Sequence, residues 1–186
     1  MPVDEILLDA EGRMEKAVDV FRNQLTGIRT GRANPGLVDS LRVEVNGSPT
    51  PIKALARVGA PESNQTVVRP FDPGTIKDIE KAIQASDLGF NPQSDGRVIR
   101  ITIPALSTDV RKKMSSRIKE LAEEAKVAIR NVRRDGNKAA DTEKTDGTLT
   151  EDDCDSTKEE VQELTKTYEA KVADLARAKE AEVMDG

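Results

Sequence analysis

The sequence predicts an α+β protein of two parts, a long antiparallel three-helix bundle and a small β/α/β domain inserted into it. Three observations lead there. Three stretches carry apolar residues at helical spacing over unusual lengths. The segment between the first two collects the chain breakers: eight of nine prolines lie between Pro35 and Pro104, and seven of twelve glycines between Gly31 and Gly96. Aromatic residues make up only 2% of the 186 residues and charged ones 34%, a balance that suits narrow aliphatic seams better than one broad core.

Residues 3–30 are expected as the first helix. Its seam is Leu7, Met14, Val18, Phe21, Leu25 and Ile28, broken once by Glu11, with Gly31 as the residue past its end. Leu41, Val43 and Val45 then alternate with Arg42 and Glu44, and Asn46-Gly47 supplies a type I′ hairpin turn. Strands are also expected at Thr66–Phe71 and Val98–Ile103, the second with Ile99, Ile101 and Ile103 on one face. Asp72-Pro73 opens a short helix carrying Ile76, Ile79 and Ile83, and Gly89 follows it. A second long helix is expected over residues 107–145, with Val110, Met114, Ile118, Leu121, Ala125, Ala128 and Val132 as its stripe. A third is expected over residues 156–184, capped by Asp155 or Ser156, with Val161, Leu164, Tyr168, Val172 and Leu175. The short link Thr145-Asp146-Gly147-Thr148 makes these two antiparallel. The bundle would thus comprise residues 1–30 and 106–186 and the insert residues 31–105. Two connections join them, at about 30–32 and 104–106, where Gly31, Arg32, Pro104 and Ala105 suit a hinge.

A net charge of −5 hides an asymmetry. Residues 151–186 carry 12 acidic and 5 basic side chains; residues 111–138 carry 10 basic and 4 acidic. On a helix, Lys119, Lys126, Arg130 and Arg133 fall within about 60° of arc, with Arg134 beside them. Measured from the expected stripe, they face the opposite side and so the solvent. The plain reading is a solvated face with scattered ion pairs. Against it, only Glu123 and Asp135 lie near in sequence and neither is expected to face the line. Arginine also takes over from lysine along it, and its planar fork suits phosphate oxygens. Such a line would bind a nucleic-acid backbone by position and shape. Arg29, Arg32 and Arg111 form a second basic group at the expected hinge; capping the carboxyl end of the first helix is the structural alternative.

Covalent chemistry finds little support. The chain has no His, which removes the commonest general base and metal ligand. Its one cysteine, Cys154, sits among Asp152, Asp153 and Asp155, a setting that disfavours a thiolate; it reads as a solvated loop residue. Gly27, Gly31 and Gly36 fit no phosphate-loop spacing, and Asp141–Gly147 fails as a calcium loop in both registers. No enzyme, cofactor or metal site is expected. The acidic N-terminus lacks a signal-peptide core and no apolar run approaches membrane-spanning length, so a cytoplasmic protein is expected; with no sign of an oligomer, it is expected as a monomer. A helical adaptor that binds proteins is the competing reading.

Several segments carry a resemblance. Ile28-Arg29-Thr30-Gly31-Arg32-Ala33, Glu80-Lys81-Ala82-Ile83, Ser86-Asp87-Leu88-Gly89, Val127–Asp135 with its Arg130-Asn131-Val132-Arg133-Arg134 core, and Lys179-Glu180-Ala181-Glu182 together resemble the bacterial ribosome recycling factor family over the whole chain. The resemblance implies a three-helix bundle, tRNA-like in outline, with a hinged β/α/β insert. It implies a partner, the post-termination 70S ribosome, bound between its subunits against large-subunit ribosomal RNA. It further implies that the factor acts with elongation factor G and GTP to separate the subunits and release mRNA and tRNA, hydrolysing nothing itself. RNA contacts would fall on Arg130 and Arg133, and then on Arg29, Arg32, Arg111 and Arg134. One departure is Gly136, where the family more often has alanine.

Overall fold

The structure is a computed structural model that describes residues 2–86 and 89–185. It forms two compact units. One joins the chain up to Ile28 with Asp109–Asp185; the other is Arg29–Thr108. The Asp87-Leu88 part of the family-like segment lies outside the described residues.

The helical unit holds α1 (Val3–Thr26), α5 (Thr108–Thr145) and α6 (Glu151–Asp185). The helix α1 stops four residues before the expected end, where the Gly27 N–H turns back to the Gln24 carbonyl and the Ile28 N–H to that of Leu25. Its buried seam is Ile6, Ala10, Met14, Val18, Phe21 and Leu25, so Ile6 and Ala10 take the place expected for Leu7. With Ala10 in the seam, Glu11 turns outward beside Tyr168 of α6. Burial first, and then Glu11 and Glu15, push the Tyr168 phenol pKa upward.

The end of α5 is a Schellman turn. Gly147 takes a left-handed φ of 80°, its N–H reaches the Lys144 carbonyl, and the Thr148 N–H reaches Glu143. The third helix begins at Glu151, five residues earlier than expected. Thr150 and Asp153 cap it reciprocally: the Asp153 N–H donates to Thr150 Oγ1 at 3.1 Å, and the Thr150 N–H to Asp153 Oδ2 at 3.4 Å. That earlier start moves Cys154 out of any loop. Its side chain is 0% exposed and packs with Ile6, Ala139 and Ala140. The α6 seam then runs Thr157, Val161, Thr165, Tyr168 and Val172, with Leu164 and Leu175 only half-buried. Both threonines satisfy their hydroxyls on the carbonyl one turn back, Asp153 at 2.7 Å and Val161 at 2.8 Å, which is how a polar residue enters an apolar seam. Links between α5 and α6 run antiparallel: Asp141 meets Lys158, Arg130 meets Glu169, and Arg111 meets the Met184 carbonyl. Gly136 of α5 lies against Val161, where an added Cβ would stand 3.4 Å from both methyl carbons. The mid-helix glycine therefore sits in the packed seam between two helices.

The other unit contains α2 (Pro35–Asp39), a β1–β2 hairpin (Arg42–Val45, Ser48–Pro51), α3 (Ile52–Leu55), β3 (Ala56–Glu62), β4 (Gln65–Pro70), α4 (Ile76–Ala85), β5 (Pro92–Ser94) and β6 (Ile99–Thr102). Asn46 and Gly47 both have positive φ, 52° and 78°, as a type I′ turn requires. Asp72 accepts from the Gly74 N–H at 2.9 Å and starts the turn leading into α4. The four-stranded sheet, in the order β3-β4-β6-β5, is antiparallel throughout. Its inner face, Val68, Ile99 and Ile101, packs on Ile76, Ile79 and Ile83 of α4 together with Val38, Val43 and Ile52. The strands β3 and β5 and the helices α2 and α3 lie outside the expected elements. They are short or proline-bearing, and pairing with the central strands defines the strands among them.

Candidate nucleic-acid interface

The basic line is carried by α5, whose buried residues are Ile118, Leu121, Ala122, Ala125, Ile129, Val132, Gly136 and Ala140. Ala128, expected in the stripe, is exposed, and Ile129 is buried instead. The reason is that α5 packs on two neighbours, which turns its buried arc towards α6. Lys126, Arg130 and Arg133 consequently sit about a quarter turn from the stripe's centre, at its edge, and not opposite it. All three are half-buried, whereas Lys119 and Arg134 are exposed.

The edge position brings acids to the line that sequence proximity does not reveal. Arg130 Nε donates to Glu169 Oε1 of α6 at 2.9 Å, and its Nη1 to Glu123 Oε1 at 3.1 Å. The hydrogen bond to Glu169, followed by that carboxylate's charge and then Glu123, raises the Arg130 pKa further. Glu123 thus does face the line, which corrects the expectation. Asp135 is taken from the other side by Arg13 of α1, at 2.8 Å. Arg133 has a neutral partner only, Gln162 Oε1 at 3.5 Å. Among the described residues Lys119, Lys126 and Arg134 make no ion pair. Of the five cations of the line, four therefore stand without a carboxylate, and the fifth, Arg130, is held between two.

Arg111 reaches the end of the third helix. Its Nη1 donates to the Met184 carbonyl at 3.2 Å, in the last turn of α6, where a cation also suits the helix dipole. Arg29 and Arg32 are exposed and belong to the other unit, with Gly31 between them at a left-handed φ of 74°. Pro104 and Ala105 are exposed in that same unit. Gln162 and Glu169 were not anticipated. They lie seven apart on α6, on one helical face, and the antiparallel register from the α5–α6 turn would have pointed to them. No group of three or more His, Cys, Asp or Glu among the described residues could hold a metal ion. No described helix is long and apolar enough to cross a membrane.

Fold and charge together define a class: an α+β factor with a line of cations along one long helix of a three-helix bundle. The family model described as "Ribosome recycling factor" matches residues 21–184. A ribosome-recycling factor of Rhodopirellula baltica is 71% identical over 140 residues, 75% of each chain. That of Halalkalibacterium halodurans is 48% identical over 181 residues, covering 97% of this chain and 98% of the relative. A solution structure of the ribosome recycling factor superposes with a TM-score of 0.83 at 36% identity, covering 99% of this chain and 98% of that one. A second structure, from models of the T. thermophilus ribosome recycling factor and E. coli elongation factor G bound to the E. coli post-termination complex, superposes at 0.68 with 38% identity, over 98% of this chain and 99% of that one. The chain belongs to the ribosome recycling factor family.

Proposed function

We propose that this protein binds the post-termination 70S ribosome between its subunits and, with elongation factor G and GTP, separates them so that mRNA and tRNA are released. The observation that carries the reading is the row of cations without carboxylate partners on α5, Lys119, Lys126, Arg133 and Arg134, in a chain of this family. Large-subunit ribosomal RNA is the partner such a row suits, since phosphates are gripped by exposed arginine and lysine without sequence readout. Arg133 and Arg134 lead. Arg130, already bound by Glu123 and Glu169, contributes less net attraction. Arg111, Arg29 and Arg32 extend the contact.

In this reading the bundle, residues 1–30 and 106–186, supplies affinity, and the insert, residues 31–105, is the arm on which the partner GTPase acts. The connections at 30–32 and 104–106 form the hinge; Gly31, already left-handed, and Pro104 punctuate them. NMR relaxation showing one rigid body would refute the hinge. The factor works as a cytoplasmic monomer, and no step of covalent chemistry is assigned to it.

The test is a light-scattering assay of subunit separation, using purified post-termination ribosomes, elongation factor G and GTP. The expected result is a fall in scattering that needs this protein. Ribosomes that stay joined would overturn the reading in favour of a protein-binding helical adaptor.

A further inference from the structure

The outer face of the four-stranded sheet carries three arginines, two of which have no carboxylate partner among the described residues. Arg57 of β3 stands directly opposite Arg69 of β4, and Arg100 of β6 opposite Val67 of β4. Strand alternation puts these side chains on one face, away from the core residues Val68, Ile99 and Ile101. All three arginines are exposed. Phe71 lies two residues beyond Arg69. Its N–H still pairs with the Leu55 carbonyl at 2.9 Å, so the strand's alternation carries on and sets Phe71 on the side of Arg69. Its ring is 67% exposed.

Two nearby acids do little to offset this. Asp95 holds Arg100 loosely, Oδ2 to Nη2 at 3.9 Å, while its Oδ1 accepts from the N–H groups of Arg97 and Val98, each at 2.9 Å, and it reaches neither Arg57 nor Arg69. Glu62 pairs with Gln65 at the far end of β4. Arg57 and Arg69 have no carboxylate partner among the described residues. Like charges directly opposite each other weaken a strand pair. An arginine pair facing solvent beside an open phenylalanine is therefore costly to the sheet and suited to a ligand that is both anionic and planar.

We infer that this sheet face is a second RNA contact, which takes an unpaired stretch of ribosomal RNA. The arginine forks grip successive phosphates and the Phe71 ring stacks on a base. The inference rests on the ribosome-binding reading above and adds a surface to it in the inserted unit.

The test places the photoreactive p-benzoylphenylalanine at position 71 of the full chain and irradiates it on post-termination ribosomes, with occupancy measured by co-sedimentation. The expected product is a ribonuclease-sensitive adduct that primer extension maps to ribosomal RNA. An adduct with protein or mRNA alone, or no adduct at full occupancy, overturns the inference and leaves the parent reading standing. Failure of the unsubstituted chain to co-sediment overturns both. A second arm uses Arg57→Gln with Arg69→Gln, which keeps the strands polar and removes the repulsion. Ribosome affinity should fall several-fold, and the slope of log affinity against log salt should shrink by about 1.4, at about 0.7 per single-stranded phosphate. An unchanged slope overturns the inference.

Discussion

Arg130 of α5 donates from Nε to Glu169 Oε1 of α6 at 2.9 Å, tying the basic helix to the acidic one across the bundle. Glu123 holds the same guanidinium at 3.1 Å, so two carboxylates surround one cation. The arginine beside it, Arg133, has only an amide partner. Two residues three apart on one helix thus offer very different fields to an anionic ligand.

Arg133→Ala is accordingly expected to weaken ribosome binding more than Arg130→Ala, with the melting temperature little changed in either. Glu169→Gln removes a negative charge beside the line and should tighten binding. Equilibrium binding at one fixed salt concentration measures all three. Weaker binding by Glu169→Gln would show that the carboxylate instead holds Arg130 in a productive direction.

Salt dependence counts the phosphates engaged. The four cations of the line without carboxylates predict a contribution of about −3 to the log–log slope, at about −0.7 to −0.9 per phosphate. Affinities measured across a range of potassium concentrations give the slope. A flat response would indicate an apolar interface.

Gly136→Ala should stabilise the bundle. Alanine gains about 1 kcal/mol over glycine in a helix interior, and the new methyl would stand 3.4 Å from both Val161 methyls, an ordinary contact. For a chain of this size that predicts a rise in melting temperature of about 2–4 °C. Gly136→Leu, with no room beside Val161, should lower it.

Acid should loosen the turn between α5 and α6. Asp141 accepts from Lys158 and from the buried Cys154 thiol, and the Lys158 hydrogen bond leads in lowering its pKa below the usual 3.8. The unfolded chain therefore binds that proton first. The stabilisation is complete above about pH 5 and is lost as pH falls through the depressed value. Melting temperatures from pH 6 down to 2 should fall less in Asp141→Asn than in the parent. In the folded protein at neutral pH, the Cys154 thiol should react with a thiol reagent only as fast as this end of the bundle opens.

Much of the fold is legible in the linear pattern. The presence and order of the three long helices, the Asn46-Gly47 turn, the isoleucine face at Ile99 and Ile101 and the isoleucines of α4 all follow from local periodicity and turn chemistry. Where that pattern misleads, a competing local choice is responsible. Ala10 and Ile6 pack where Leu7 was expected, because a small residue lets α1 approach its neighbours. Thr157 and Thr165 enter the α6 seam because each hydroxyl is satisfied within the helix. The Thr150–Asp153 capping box outcompetes Asp155 and Ser156 as the start of α6 and carries Cys154 inside with it.

The candidate interface divides along the same line. That Lys119, Lys126, Arg130, Arg133 and Arg134 share one side of a helix follows from their spacing, because 3.6 residues per turn is a property of the chain alone. Which of them are left without an acid depends on the packing of α5 against its neighbours. Glu169 is 39 residues from Arg130, and Arg13 is 122 from Asp135. Such pairs are set by the antiparallel register and by the arc that each helix buries against two neighbours. Helical phase is local, whereas charge compensation depends on what packs alongside, and so the basic line could be read from the sequence while its working members could not.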